Sequence, residues 1–160
     1  LDGMNEEARA ILLICLNTGA RPSEVATLLP DRIKLEADIA HIQIRADERV
    51  VKTKRAQRDI PLVGVALEAA RDFPHGFPRY RDSPSSLSGA QIKFMRNNDL
   101  MESEDHVVYS LRHSFEDRML IAKFPERVKA DLMGHNIDRE RYGEGLPLAD
   151  QAKLLEEISF

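Results

Sequence analysis

The apolar positions concentrate first between Ala10 and Leu16, where Ile11, Leu12, Leu13, Ile14 and Cys15 follow one another without a polar break. Ahead of this run Asn5 is a capping residue, and Glu6 and Glu7 set negative charge at the positive end of a helix dipole. Behind it Gly19 is a stop signal, so the pattern predicts a helix over about 5–17. A second helix is expected from Pro22, because proline suits the first helical position, where no amide partner is needed. That places Arg21 at a helix's N-terminal edge. From Ile33 to Leu62 the period becomes two: Ile39, His41 and Gln43 alternate with Ala40, Ile42 and Ile44 after a turn at Glu36-Ala37-Asp38. This predicts a small antiparallel sheet whose last strand is Arg58-Asp59-Ile60-Pro61-Leu62, joined to a strand near Val50-Val51 by the basic tip at 53–57.

Val63 to Asp72 reads as helix, whereas Phe73 to Ser88, with Pro74, Gly76, Pro78, Pro84 and several serines, reads as a long surface loop. Ser88-Gly89-Ala90-Gln91 matches a capping box for a helix over about 89–99. Ser110 caps another, to about Lys123, and Pro125 opens a short helix closed by Gly134. After a polar loop at 136–146, Pro147 opens a last amphipathic helix with Leu148, Ala152 and Leu155 on one side, free to pack on its own domain or on a neighbouring protomer. The fold class is therefore mostly α with a small antiparallel β-sheet at one edge.

Composition narrows this picture. A chain of 160 residues, 42% apolar and 31% charged, is a single folded domain and not a disordered tail. Its 23 basic and 27 acidic side chains sum to −4, so any contact with nucleic acid must come from local clusters and not from a basic coat. Cys15 is the only cysteine, which excludes an intrachain disulfide and suits a buried thiol. The apolar run falls far short of the ~20 residues that cross a bilayer, so no membrane partner is expected and the chain reads as cytoplasmic.

Four segments carry candidate chemistry. In Thr18-Gly19-Ala20-Arg21-Pro22-Ser23-Glu24 a guanidinium leaves a tight turn beside a helix N-terminus, a place that suits an anion; the plainer reading pairs Arg21 with Glu24. The hairpin carries Lys52, Lys54, Arg55 and Arg58, with Arg45 and Arg49 upstream, on a projecting tip able to touch DNA phosphates; a solvated charge run is the alternative. The third is Tyr109-Ser110-Leu111-Arg112-His113-Ser114-Phe115, and the fourth is Leu132-Met133-Gly134-His135 followed by Tyr142. The five histidines show no two-His helical spacing and no Cys/His cluster, so no metal and no cofactor are assigned. Arg118 and Arg127 read as solvated helix residues.

In this order the segments resemble the catalytic domain of the tyrosine recombinases, the phage-integrase family. Thr-Gly-x-Arg-x-Ser-Glu and Leu-Arg-His-Ser-Phe, with their arginines about ninety residues apart, are the specific part, and the resemblance runs from about Asn5 to the end. It implies metal-independent DNA cleavage and rejoining. Tyr142 would attack the scissile phosphate to give a 3′-phosphotyrosyl link, Arg21 and Arg112 would clamp the nonbridging oxygens, and His135 would add a hydrogen bond to them. Lys52, with Lys54 as its rival, would protonate the leaving 5′ oxygen. Arg49, Lys54, Arg55 and Arg58 would contact DNA. Ser23 and Glu24 would support Arg21.

Two departures from the family pattern stand out. Tyr109 occupies the position where the family usually has histidine, and a phenol of pKa ~10 is a poor proton shuttle at neutral pH. His113 is then one candidate base, although the residue beside this arginine is usually structural in the family. The interval from His135 to Tyr142 is also short, which suggests a tyrosine presented within its own domain. The resemblance further implies double-stranded DNA as partner, a homotetramer on DNA, accessory DNA-bending proteins, and work on a bacterial or phage nucleoid. Residues 1–160 are expected to be the catalytic domain alone, without the family's N-terminal DNA-binding domain, and to bind DNA weakly with steep salt dependence. The alternatives are a catalytically weakened DNA-binding relic, motivated by Tyr109, and relaxation of the type IB topoisomerase kind.

Overall fold

The computed structural model describes residues 3–45, 57–101, 103, 108–135 and 143–160. Helix α1, Glu6–Thr18, is its axis: the Asn5 side chain accepts from the Ala8 amide at 3.3 Å, and Gly19, at φ 63°, closes the other end with its N–H on the Cys15 carbonyl. Ala8, Ala10, Ile11, Leu12, Ile14 and Cys15 are all buried, because α2 (Pro22–Ala26), α3 (Gly64–Asp72), α5 (Pro84–Asn97) and α6 (Ser110–Ile121) surround it. A helix enclosed on several sides needs apolar residues nearly all round, which accounts for the unbroken run in the sequence. Burial also pushes the Cys15 thiol up in pKa, so it stays protonated.

The sheet has the order β1 (Ile33–Lys34), β2 (His41–Ile44), β3 (Arg58–Pro61), antiparallel throughout. Ile42 faces Ile60 and Ile44 faces Arg58, so alternate residues Ile42, Ile44, Ile60 and Arg58 share the core-facing side. The strand expected near Val50-Val51, and the tip cations, lie outside the described residues.

The segment expected as a loop at 73–88 is corrected: it contains α4 (Pro78–Arg81) and the first turn of α5, which starts at Pro84 and not near Gly89. Pro78 and Pro84 each occupy the first helical position, so here they start helices instead of breaking them. Phe77, Tyr80 and Leu87 anchor the stretch in the core, and Gln91 is no capping residue but a buried donor to the Ala8 carbonyl.

Helix α7 (Glu126–Met133) ends at Gly134, φ 64°, and α8 (Leu148–Glu156) packs on its own domain through Ala152 and Leu155. Asn17 holds the segment after α8 by donating to the Phe160 carbonyl and accepting the Phe160 amide. Arg118 is corrected from a solvated residue: its guanidinium donates to the Leu16 and Ile158 carbonyls and lies 4.7 Å from the centre of the Phe160 ring. Arg127 is likewise engaged, donating to the Gly143 carbonyl and lying near Asp131. No helix among the described residues is long and apolar enough to cross a membrane.

Candidate active site

The turn at the end of α1 shapes the first part of the site. Thr18 Oγ1 donates to the Ile14 carbonyl and accepts the Ala20 amide, Gly19 takes the left-handed conformation, and the chain re-enters a helix with Arg21 as the capping residue of α2. Glu24, in the first turn of α2, reaches back: one carboxylate oxygen accepts the Arg21 backbone N–H and the other accepts Arg21 Nη1, both at 2.9 Å. The plain pairing of Arg21 with Glu24 is therefore present, yet the Arg21 side chain keeps 37% of its surface exposed and can face a ligand as well.

The second part comes from α6. Arg112, one turn into the helix, is 2% exposed. Its Nη1 donates to the Gly19 carbonyl, and its Nη2 donates to the Met133 carbonyl and lies 3.2 Å from His135 Nε2. Arginine has no acceptor, so Nε2 accepts and the neutral ring carries its proton on Nδ1. One guanidinium thus joins the C-terminal ends of α1 and α7 and orients the histidine that follows Gly134. Tyr109 stands at the exposed N-terminal edge of α6, close enough to Arg21 to influence its charge, and sets its ring edge-on to His113 with centroids 5.5 Å apart.

Arg58 corrects an expectation. The sequence predicts a tip cation for DNA phosphates, but the side chain is only 5% exposed and bound to Glu24 at 2.8 Å. The reason lies in the strand: Arg58 shares a face with Ile60, which is fully buried, so pairing of β3 with β2 turns it inward. The alternation Arg58, Ile60, Leu62 was the available signal.

Electrostatically the described residues of the cluster hold three guanidinium groups against the carboxylate of Glu24, with Glu116 acting on His135 from α6, a local positive excess that attracts an anion. Burial alone would raise Glu24, but the charge and hydrogen bonds of Arg58, and then Arg21, hold it below its ordinary value. Burial alone would lower Arg21, yet Glu24 and Tyr109 more than offset this and raise it. Arg112 is lowered by burial and by the repulsion of Arg21 and Arg58. A phosphate entering between these groups relieves that repulsion.

The structure therefore brings Arg21, Arg112, His135 and Tyr109 into one cluster and adds Arg58 through Glu24. Lys52, Lys54, Arg49, Arg55 and Tyr142 lie outside the described residues. Among the described residues no group of three or more His, Cys, Asp or Glu side chains could hold a metal ion.

Burial, and next the Arg112 charge, hold His135 below the usual histidine value of 6.5. Because the folded value is the lower one, the linked stability is present above about 6.5 and is lost as pH falls through the folded pKa. An NMR titration of the His135 ring is expected to give a midpoint below 6.5 in the free chain, rising when inorganic phosphate occupies the cluster. A free-chain midpoint at or above 6.5 contradicts this geometry.

Comparison with known proteins agrees with this fold. The chain belongs to the phage integrase family, whose model matches residues 2–140, ending two positions before Tyr142. Its fold is that of a tyrosine recombinase catalytic domain. The integrase from mycobacterium phage Brujita is similar with a TM-score of 0.66 at 18% identity, over 97% of this chain and 52% of that one. The Tn1549 transposon integrase, solved in complex with circular intermediate DNA, gives 0.59 at 16% identity over 96% and 56%. XerA recombinase gives 0.55 at 14% identity over 98% and 60%. The chain thus spans a little over half the length of these solved chains. No curated protein sequence matches it.

Proposed function

We propose that the chain is the DNA breaking-and-rejoining domain of a site-specific recombinase. The observation that carries this reading is the convergence of Arg21 and Arg112 with His135, tied together by the Gly19 and Met133 carbonyls and by Glu24. Cleaving a phosphodiester without a metal requires neutralising charge on the nonbridging oxygens, a nucleophile, and a proton for the departing oxygen. Arg21 presents a planar fork at the rim, and Arg112 backs it from inside. His135 offers the Nδ1 proton to the same anion.

In the reaction, the Tyr142 oxygen bonds to phosphorus as the bond to the 5′ oxygen breaks. The tyrosine proton passes to a base or to water, and Lys52, with Lys54 as rival, protonates the leaving 5′ oxygen. The 3′-phosphotyrosyl link retains the bond energy, so a second 5′-hydroxyl can reverse the step without ATP. Tyr109 stands beside Arg21 in the position where the family has histidine, and its hydroxyl would donate to a phosphate oxygen. Double-stranded DNA is the substrate, a reading that the DNA complex of the Tn1549 integrase supports, and the family resemblance implies strand exchange in a homotetramer. Tyr109 favours one second reading, a weakened domain that binds DNA without cutting it.

The test is covalent capture. The chain is mixed with a nicked random-sequence duplex library and denatured, the protein-linked DNA is sequenced, and the modified peptide is mapped. An adduct on Tyr142 through a 3′-phosphate is expected. An adduct on Tyr80 or Tyr109 refutes the nucleophile assignment, and bound DNA without any adduct moves the relic reading ahead.

A further inference from the structure

One buried charge in the cluster has no part in the proposed reaction. All three guanidinium nitrogens of Arg58 are engaged: Nε donates to the Leu132 carbonyl at 2.8 Å, and Nη1 and Nη2 donate to the two oxygens of Glu24 at 3.3 and 2.8 Å. The same two oxygens accept Arg21 through its side chain and its backbone. Gly134, next to His135, makes room for the group, since a Cβ there would stand 2.9 Å from Arg58 Nη1. One side chain on β3 therefore reaches the support of Arg21 on one side and the end of α7 that presents His135 on the other.

Stability alone does not account for it. An ion pair this buried loses much of its Coulomb gain to desolvation, and apolar residues of similar volume often serve a core equally well. Arg58 sits on the same face as Ile44, Ile60 and Leu62, where an aliphatic residue would fit the pattern. What an aliphatic residue cannot do is fix the orientation of Glu24.

We propose that Arg58 is a positioning residue: through Glu24 it sets the direction of Arg21, and through the Leu132 carbonyl it braces the end of α7 that presents His135. This inference rests on the cleavage reading above.

The test compares wild type, Arg58→Lys, and the charge-free pair Arg58→Met with Glu24→Gln, using the full chain. For each, the rate of adduct formation on nicked duplex is measured at saturating DNA, with DNA affinity and thermal unfolding measured beside it. Lysine keeps the charge but cannot span both partners, and the charge-free pair removes the buried Arg58–Glu24 ion pair as a unit, so neither member is left without the other. Both variants are expected to melt cooperatively and bind DNA within about threefold of wild type, yet to form adduct up to about 10²-fold more slowly, the usual scale for a misplaced catalytic group. Rates equal to wild type overturn the proposal, as does unfolding of both variants, which would make Arg58 a structural tie only. A loss confined to DNA affinity also overturns it and returns Arg58 to phosphate contact. If wild type itself forms no adduct, the cleavage reading fails, and this inference with it.

Discussion

Replacing Arg112 by alanine is expected to slow adduct formation by at least about 10²–10³-fold, the scale for removing one preorganised donor from a developing charge. The loss should exceed that of a rim contact, because Arg112 also holds the Gly19 and Met133 carbonyls and accepts no substitute at His135. Without it two buried carbonyls lose their donor, each at a cost of about 1–3 kcal/mol, so the melting temperature should fall as well. Arg112→Lys separates the two effects. An ammonium retains the positive charge but cannot serve both carbonyls from one position, so stability should recover in part while the cleavage rate stays low. A single-turnover rate for Arg112→Lys within threefold of wild type would show that the forked geometry is not what the reaction uses.

Gly19→Ala is expected to be strongly destabilising for so small a substitution. At φ 63° any side chain costs about 1–2 kcal/mol of backbone strain. The added Cβ also runs into the ring of Phe115, which is fully buried, and overpacking of that sort costs typically about 1–3 kcal/mol. Together these approach a large share of the ~5–15 kcal/mol that holds an ordinary domain together. The same change moves the carbonyl that accepts from Arg112, so activity should fall faster than stability. Urea unfolding checks the first part: a loss under about 1 kcal/mol would mean that Phe115 swings aside.

These two positions show how the site is built. Its donors are not grouped on one element. Arg21 comes from the turn after α1, Arg112 from α6, His135 from the end of α7, and Arg58 from β3. Backbone carbonyls and one carboxylate hold them together, so side-chain geometry at the site depends on how four elements meet.

Much of this was readable from the chain itself wherever the cause is local. Asn5, Gly19, Pro22, Pro125 and Gly134 mark helix ends through a few neighbouring atoms, and they act where the sequence places them. The alternation around Ile42 needed no more than spacing, and the Arg, Arg and His motifs became legible through their resemblance to the tyrosine recombinases. What escaped depends on partners far along the chain. Pro78 and Pro84 could not be told from loop prolines until Phe77, Tyr80 and Leu87 were seen buried. Gln91 meets Ala8 across 83 residues, Arg58 meets Leu132 across 74, and Arg118 meets Leu16 across 102. Helix caps, period and motif order were determined by the sequence alone, because short-range sterics and hydrogen bonds act within a turn or two. Only the tertiary structure decided which charged side chains turn inward, because a buried guanidinium is stable just where folding supplies it with distant carbonyls or a carboxylate.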